Sequence, residues 1–189
     1  MVVVAESTGD AGPQVAASIA SLLRDVPDFP QPGIIFKDLA PLLADKRVFG
    51  DVVRALAGFA HEIGDVDLIA GIEARGFLFA AALACELQCG VVTVRKAGKL
   101  PPPTIRRAYD LEYGQAEIEV PVDVVDSRRV YLVDDVLATG GTARAAADLI
   151  DQAGGELTGV GVVLELGFLN GRRKLDGIAD DQVHALLRI

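Results

Sequence analysis

The chain is short of aromatic residues, cysteine, basic charge and long apolar runs, and each shortage narrows what it can be. Aromatics make up 5% of its 189 residues, while hydrophobic residues reach 51%. A core must therefore be built from Val, Leu, Ile and Ala, the mix of a buried parallel sheet covered by helices. No apolar run approaches the roughly 18 residues that a spanning helix needs, so no membrane partner is expected. The opening "MVVVAESTGDAG" has no basic n-region and too short an apolar stretch for a signal peptide. Residues 1–12 read as a flexible N-terminus, and the protein as cytoplasmic. The two cysteines, Cys85 and Cys89, stand four apart with no other Cys or His nearby. They are expected to be small buried hydrophobes in a reducing compartment rather than a metal site or a disulfide. Basic residues number 18 against 27 acidic ones, a net charge of −9. A nucleic-acid partner is not expected from that balance. A small anion can still be held by local donors.

The length suits a single domain over residues 1–189. "PQVAASIASLLRDV" carries Val15, Ile19, Leu22, Leu23 and Val26 at helical spacing. The three prolines and the glycine of "PDFPQPGIIF" then impose an irregular path. A second helix fits "RVFGDVVRALAGFAHEI". "VDLIAGI" reads as a buried strand, followed by the turn "EARG" and the helix "FLFAAALACELQ", and "GVVTV" as another strand. From Arg95 to about Gly114 the chain is polar and lacks clear periodicity, which predicts a structureless lid. "QAEIEV" alternates as a half-exposed strand would, completing a lid-and-hairpin region over 95–120. Strands alternating with helices imply an α/β fold with a mostly parallel sheet flanked by helices.

The chemistry concentrates in "VYLVDDVLATGGTARAAADLI". Asp134 and Asp135 are expected just past a strand's carboxyl end, where open α/β sheets bind ligands. The stretch lacks both the lysine of a Walker loop and the three glycines of a dinucleotide fingerprint. What it has is Ala138, Thr139, Gly140, Gly141 and Thr142 leading into a helix, with free N–H groups, two hydroxyls and a helix N-terminus to hold a phosphate. Two carboxylates would repel that phosphate. They suit the diol of a ribose instead, whose developing positive charge they would also stabilise. A plain capped helix after a polar turn is the alternative reading of this stretch.

"VYLVDDVLATGGTA" resembles the phosphoribosyl pyrophosphate (PRPP) motif of the type I phosphoribosyltransferases, and its "LATGGT" form is similar to that of the adenine-using branch. "FPQPGIIFKDLAPLL", "GIEARGFLFAAALA", "VRKAGKLPPPT" and "YDLEYG" resemble that branch's segments in the same order. The resemblance implies an N-terminal hood over 29–40 and a flexible lid. It also implies a pentosyltransferase of purine salvage, adenine + PRPP → AMP + pyrophosphate, with Mg²⁺ carried by PRPP and no dedicated protein ligand for it.

On that resemblance Ala138–Thr142 hold the 5′-phosphate, and Asp134 and Asp135 the ribose. Glu73, Ala74, Arg75 and Gly76 form the pyrophosphate loop, with a cis peptide between Glu73 and Ala74, and Arg75 counts among the catalytic residues. Lys96 and Lys99 approach the pyrophosphate, partly from a neighbouring subunit, which implies a homodimer. Ile35, Phe36, Lys37 and Leu166 surround adenine, with Ile35 and Lys37 recognising it through their backbone. Glu112 is the candidate acid/base and Tyr113 helps close the lid. Lys37 stands where the family often has arginine, so a side-chain role there is in doubt. His61 and His184 lie outside every motif and are expected on the surface or in packing. An oxopurine enzyme would need a late-strand lysine that "VGVVLELGF" lacks, and a catalytically dead PRPP sensor would need a DNA-binding helix pair or a basic face.

Overall fold

The computed structural model describes residues 12–111 and 114–189, so Glu112 and Tyr113 lie outside the described residues. The first half comprises α1 (Gly12–Leu22), β1 (Arg24–Pro27), β2 (Ile35–Asp38), α2 (Ala40–Ala44), α3 (Lys46–Ile63), β3 (Leu68–Ile72) and α4 (Gly76–Leu87). Then follow β4 (Gly90–Lys96), β5 (Thr104–Leu111), β6 (Gly114–Pro121), α5 (Val122–Val125), β7 (Arg129–Leu137), α6 (Gly141–Gln152), β8 (Glu156–Glu165) and β9 (Val183–Arg188). Seven strands form one sheet in the order β5-β6-β4-β3-β7-β8-β9. Pairing is parallel from β4 through β9 and antiparallel at β4–β6 and β5–β6.

Apolar alternation builds a core on each face of this sheet. Ala70, Leu132 and Val162 pack with Ala146, Leu149 and Ile150 of α6 on one side. Ile69 and Val133 pack with Leu56 and Phe59 of α3 and Phe79 of α4 on the other. Each fully buried Val, Leu, Ile or Phe among them contributes roughly 1.5–3 kcal/mol. The long α3 starts cleanly because Asp45 accepts the N–H groups of Arg47 and Val48 at 2.9 and 3.0 Å. A cap of this type contributes about 1 kcal/mol.

Several expectations change. The first helix ends at Leu22; Val26 belongs to β1, which pairs antiparallel with β2 from Arg24↔Asp38 to Pro27↔Ile35 as a separate two-stranded sheet. The stretch expected to be structureless contains β5, paired residue for residue with β6 from Thr104 to Leu111. Its alternation is disguised because Arg107 interrupts the apolar set. Ile105 and Tyr109 pack on the core, and Arg107 reaches Asp148 of α6 at 2.5 Å. The short α2 and the edge strand β9 were not expected. Cys85 is exposed rather than buried; Cys89 is half-buried and burial pushes its thiol up. Both thiols are free. His184 is buried as a packing residue, stacked on Phe59 with ring centres 4.3 Å apart, and His61 is exposed on α3.

Candidate active site

The two aspartates extend from a step in the sheet. β7 pairs with β3 only as far as Gly71↔Val133, but runs on beside β8 to Leu137↔Glu165. Asp134 and Asp135 therefore belong to the strand itself, not to a turn after it; Asp134 is level with Ile72, the last residue of β3, and Asp135 lies beyond it. A cleft of about 640 Å³ opens there. It is lined by Ile35, Phe36 and Lys37 of the hairpin, Glu73, Ala74 and Arg75 after β3, both aspartates, Ala138, Thr139 and Thr142, and Leu166. Segments far apart in sequence thus meet in one cavity.

Its phosphate-sized end is shaped by glycine. Gly140 caps α6 at φ +79°, a left-handed conformation that costs other residues energy, and a Cβ there would also overlap the carbonyl of Gly171. The turn consequently presents the N-terminus of a twelve-residue helix to a recess of about 70 Å³. Ala138, Thr139, Gly140 and Thr142 line that recess. Gly141 opens the helix without lining it.

Between this end and the hairpin lies an ion pair. Arg75 Nε stands 2.6 Å from Asp135 Oδ2, without hydrogen-bond alignment, and its guanidinium lies 5.4 Å over the Phe36 ring. Asp135 is 5% exposed and its Oδ2 accepts no hydrogen bond. Such an oxygen is costly unless a ligand donor supplies what the protein does not. Burial pushes the neighbouring Asp134 carboxyl well above the ordinary carboxylate range, and the adjacent Asp135 charge pushes it further. The Asp135 N–H donates to Asp134 Oδ1 at 2.9 Å and partly offsets both.

At the opposite end, Phe36 meets Phe29 edge-on with centroids 5.2 Å apart, and half-buried Leu166 faces the same space. Ile35 is largely exposed. The Lys37 ammonium is taken up by Asp25 at 2.7 Å, and Lys37 is among the residues lining the cleft. Tyr109, Val136 and Leu169 also line the cavity and were not expected there. Tyr109 was hidden by its reading as loop, and nothing in "GFLN" marks Leu169.

The peptide between Glu73 and Ala74 is cis. Glu73 gathers the basic segment: its carboxylate accepts Lys99 Nζ at 2.5 Å and the Lys96 N–H at 3.0 Å, with Arg95 Nε at 3.4 Å. The Lys99 hydrogen bond, more than the others, holds Glu73 below the usual carboxylate range. Lys96 and Lys99 are not among the described residues lining the cleft, and Gly76 lies buried behind it as the first residue of α4. Glu112 and Tyr113 lie outside the described residues. No group of three or more His, Cys, Asp or Glu able to hold a metal occurs among the described residues.

A helix N-terminus, paired carboxylates beside it and an apolar slot opposite meet in one cleft on an α/β sheet. The family model described as "Phosphoribosyl transferase domain" matches residues 42–181, and the chain belongs to the phosphoribosyltransferase family. Within that family it is 51% identical over 177 residues to the adenine phosphoribosyltransferase of Thermobifida fusca, covering 93% of this chain and 98% of that one. The crystal structure of the adenine phosphoribosyltransferase from Thermoanaerobacter pseudethanolicus superposes with a TM-score of 0.86 at 44% identity, covering 92% and 99% of the two chains. The Saccharomyces cerevisiae adenine phosphoribosyltransferase, crystallised with an imino-altritol bisphosphate and adenine, gives 0.85 at 36% identity over 92% and 99%.

Proposed function

We propose that this chain transfers the 5-phosphoribosyl group of PRPP to adenine, forming AMP and releasing pyrophosphate in purine salvage. The observation that supports this reading is one cleft that brings together a helix N-terminus, the Asp134–Asp135 pair with an Asp135 oxygen that accepts no hydrogen bond, and an aromatic slot. Phosphate, ribose and base can be laid along that line in the order a nucleotide requires. Ala138–Thr142 hold the 5′-phosphate through N–H groups and two hydroxyls. Asp134 and Asp135 accept the ribose hydroxyls, and Ile35, Phe36, Lys37 and Leu166 enclose the base.

The reaction breaks the bond from ribose C1 to a pyrophosphate oxygen, leaving positive charge on the sugar ring. Buried carboxylates favour that charge. Adenine N9 bonds to C1 from the opposite face, so the configuration inverts. Glu112, as acid/base beside N7, takes the proton that the base must lose. Arg75, with the backbone of Glu73 to Gly76, receives the departing pyrophosphate, its planar fork suited to a diphosphate. Lys96 and Lys99 add charge to the same group, and Tyr113 closes the lid against water, which would hydrolyse PRPP. Mg²⁺ would come bound to PRPP, with Asp134 and Asp135 facing the ribose hydroxyls beside it and no dedicated protein ligand of its own. Bound there, Mg²⁺ would supply positive charge to the pyrophosphate, alongside Arg75, Lys96 and Lys99.

A homodimer is the reading that brings Lys96 and Lys99 to a cleft they do not line within one chain. Exposed Leu78 of α4 and Val91 of β4 offer apolar surface for it. The two free thiols suit a reducing cytoplasm, and no helix among the described residues is long and apolar enough to cross a membrane. A net charge of −9 speaks against nucleic acid as a partner. The deciding assay supplies PRPP and Mg²⁺ with adenine, hypoxanthine, guanine or xanthine in turn. Product from adenine alone is expected; no turnover with any base would overturn the reading.

A further inference from the structure

Behind the phosphate loop, β8 ends on a carboxylate that the proposed chemistry does not use. Glu165 is 1% exposed, and a buried carboxylate is tolerated only with a partner and hydrogen bonds. Arg172 supplies both prongs, with Nε 3.3 Å from Oε1 and Nη2 2.7 Å from Oε2. Its remaining nitrogen, Nη1, donates to the Val183 carbonyl at 2.7 Å. Arg172 is thereby fixed to the end of one strand and the start of the next. The 3₁₀ turn Gly171–Leu175 on which it sits is fixed with it.

That turn touches the phosphate loop backbone to backbone. A Cβ on Gly171 would overlap the Ala138 carbonyl and come within 2.9 Å of the Gly140 nitrogen, and a Cβ on Gly140 would overlap the Gly171 carbonyl. No side chain fills the space between them, so a shift of one segment moves the other. At its far end the turn is held by buried Leu175 in the α6 core and by Arg144, whose Nη1 donates to the Asp176 carbonyl at 3.1 Å.

We propose that Glu165 and Arg172 are positioning residues that hold the Gly171 turn against Ala138–Gly140 and so aim the loop's N–H groups at the 5′-phosphate. This rests on the reading that the loop takes that phosphate. Neither residue lines the cleft. The adjoining base wall is secured separately, by Leu166 N–H on the Leu137 carbonyl at 2.9 Å and Gly167 N–H on the Ile189 carbonyl at 2.8 Å. Glu165 also faces Arg188 Nε at 3.6 Å, so the Arg172 variant, which leaves that contact in place, is the one that isolates the phosphate end.

The test compares wild type, Glu165→Gln and Arg172→Lys by kinetics and by calorimetric binding of ribose 5-phosphate. Misplaced loop donors should raise the KM for PRPP and weaken ribose 5-phosphate about tenfold. The kcat and the KM for adenine should stay within about twofold, the split expected of lost binding alone. Arg172→Lys keeps the charge without the fork and carries the test if Glu165→Gln does not fold. A lowered Tm with both PRPP parameters unchanged would make the pair merely structural and overturn the proposal. Thr139→Val with Thr142→Val separates the two readings. Binding lost there but kept in the Glu165 and Arg172 variants overturns the proposal alone. Binding kept in the threonine variant overturns the reading of the loop, and the proposal with it.

Discussion

Arg75 Nε stands 2.6 Å from Asp135 Oδ2, tying the turn after β3 to the end of β7 across the centre of the cleft. The two residues assigned to opposite ends of the PRPP pyrophosphoryl bond are thus partners before substrate arrives. On the proposed reading, substrate binding would exchange this contact for two others: Arg75 onto pyrophosphate, Asp135 onto ribose hydroxyls. Arg75→Lys removes the planar fork and should lower kcat/KM for PRPP by about 10²-fold. Asp134→Asn with Asp135→Asn should lower kcat by about 10³-fold or more with the fold retained, as judged by circular dichroism. Near-normal turnover in that double variant would remove the aspartates from the mechanism.

Asp134→Asn alone should stabilise the protein while impairing it. The folded-state pKa of Asp134 is raised by burial and by the Asp135 charge. The unfolded chain therefore gives up this proton first, and stability is lost as pH rises from the unfolded value of 3.8 toward the folded one. At neutral pH the asparagine carries no such cost. A gain of about 1 kcal/mol, or roughly 2–4 °C in Tm, is expected. An unchanged or lower Tm at pH 7, together with no gain relative to wild type as pH rises from acid to neutral, would count against the assignment.

Gly140→Ala tests the turn. The left-handed conformation alone costs a non-glycine residue roughly 1–2 kcal/mol, and the overlap with the Gly171 carbonyl adds to it. Differential scanning calorimetry should show a Tm lower by about 3 °C or more, and kinetics a raised KM for PRPP. Wild-type values for both would mean the loop is free to relax.

His184 gives the fold an acid limit. Burial holds its imidazole below its ordinary value of 6.5, Arg172 adds to that, and Glu62 and Asp181 oppose it. Below pH 6.5 the unfolded chain takes up this proton more readily than the native one, so stability falls as pH drops through that value toward the folded pKa. His184→Gln should flatten the Tm profile between about pH 5 and 6.5. An identical slope in the variant would assign the acid limit to other groups. The same ring also has its Nδ1 3.4 Å from the Tyr131 hydroxyl, reached across β8 where Gly161 leaves space.

The parts of the site legible in sequence were those whose chemistry is local. Asp134 and Asp135 stand out as adjacent charges in an apolar strand, and Gly140 and Gly141 as a turn before a helix. The strand's true length was not legible, because β7 continues through the aspartates only by virtue of β8 beside it. β5 was missed because Arg107 is answered by Asp148, 41 positions away on α6, and no local pattern reveals a distant counter-ion. Glu119 was hidden in the same way. It is fully buried, and burial would raise its pKa. The N–H groups of Leu100 and Lys99 and the Arg106 guanidinium outweigh that and hold it below the usual range. In sequence it reads as one more exposed acid in "AEIEV".

The sheet has unequal faces. One is covered by α3 and α4 and the other by α6, and it is α6 that carries the Gly140 turn and receives Arg107 from β5. Inherited variation should therefore sort by face. Substitutions under α3, which carries no residue of the cleft, change how much folded protein a cell holds. Those under α6 change how well each surviving molecule grips its substrate, so the two classes would part company in any assay that reports abundance and activity separately.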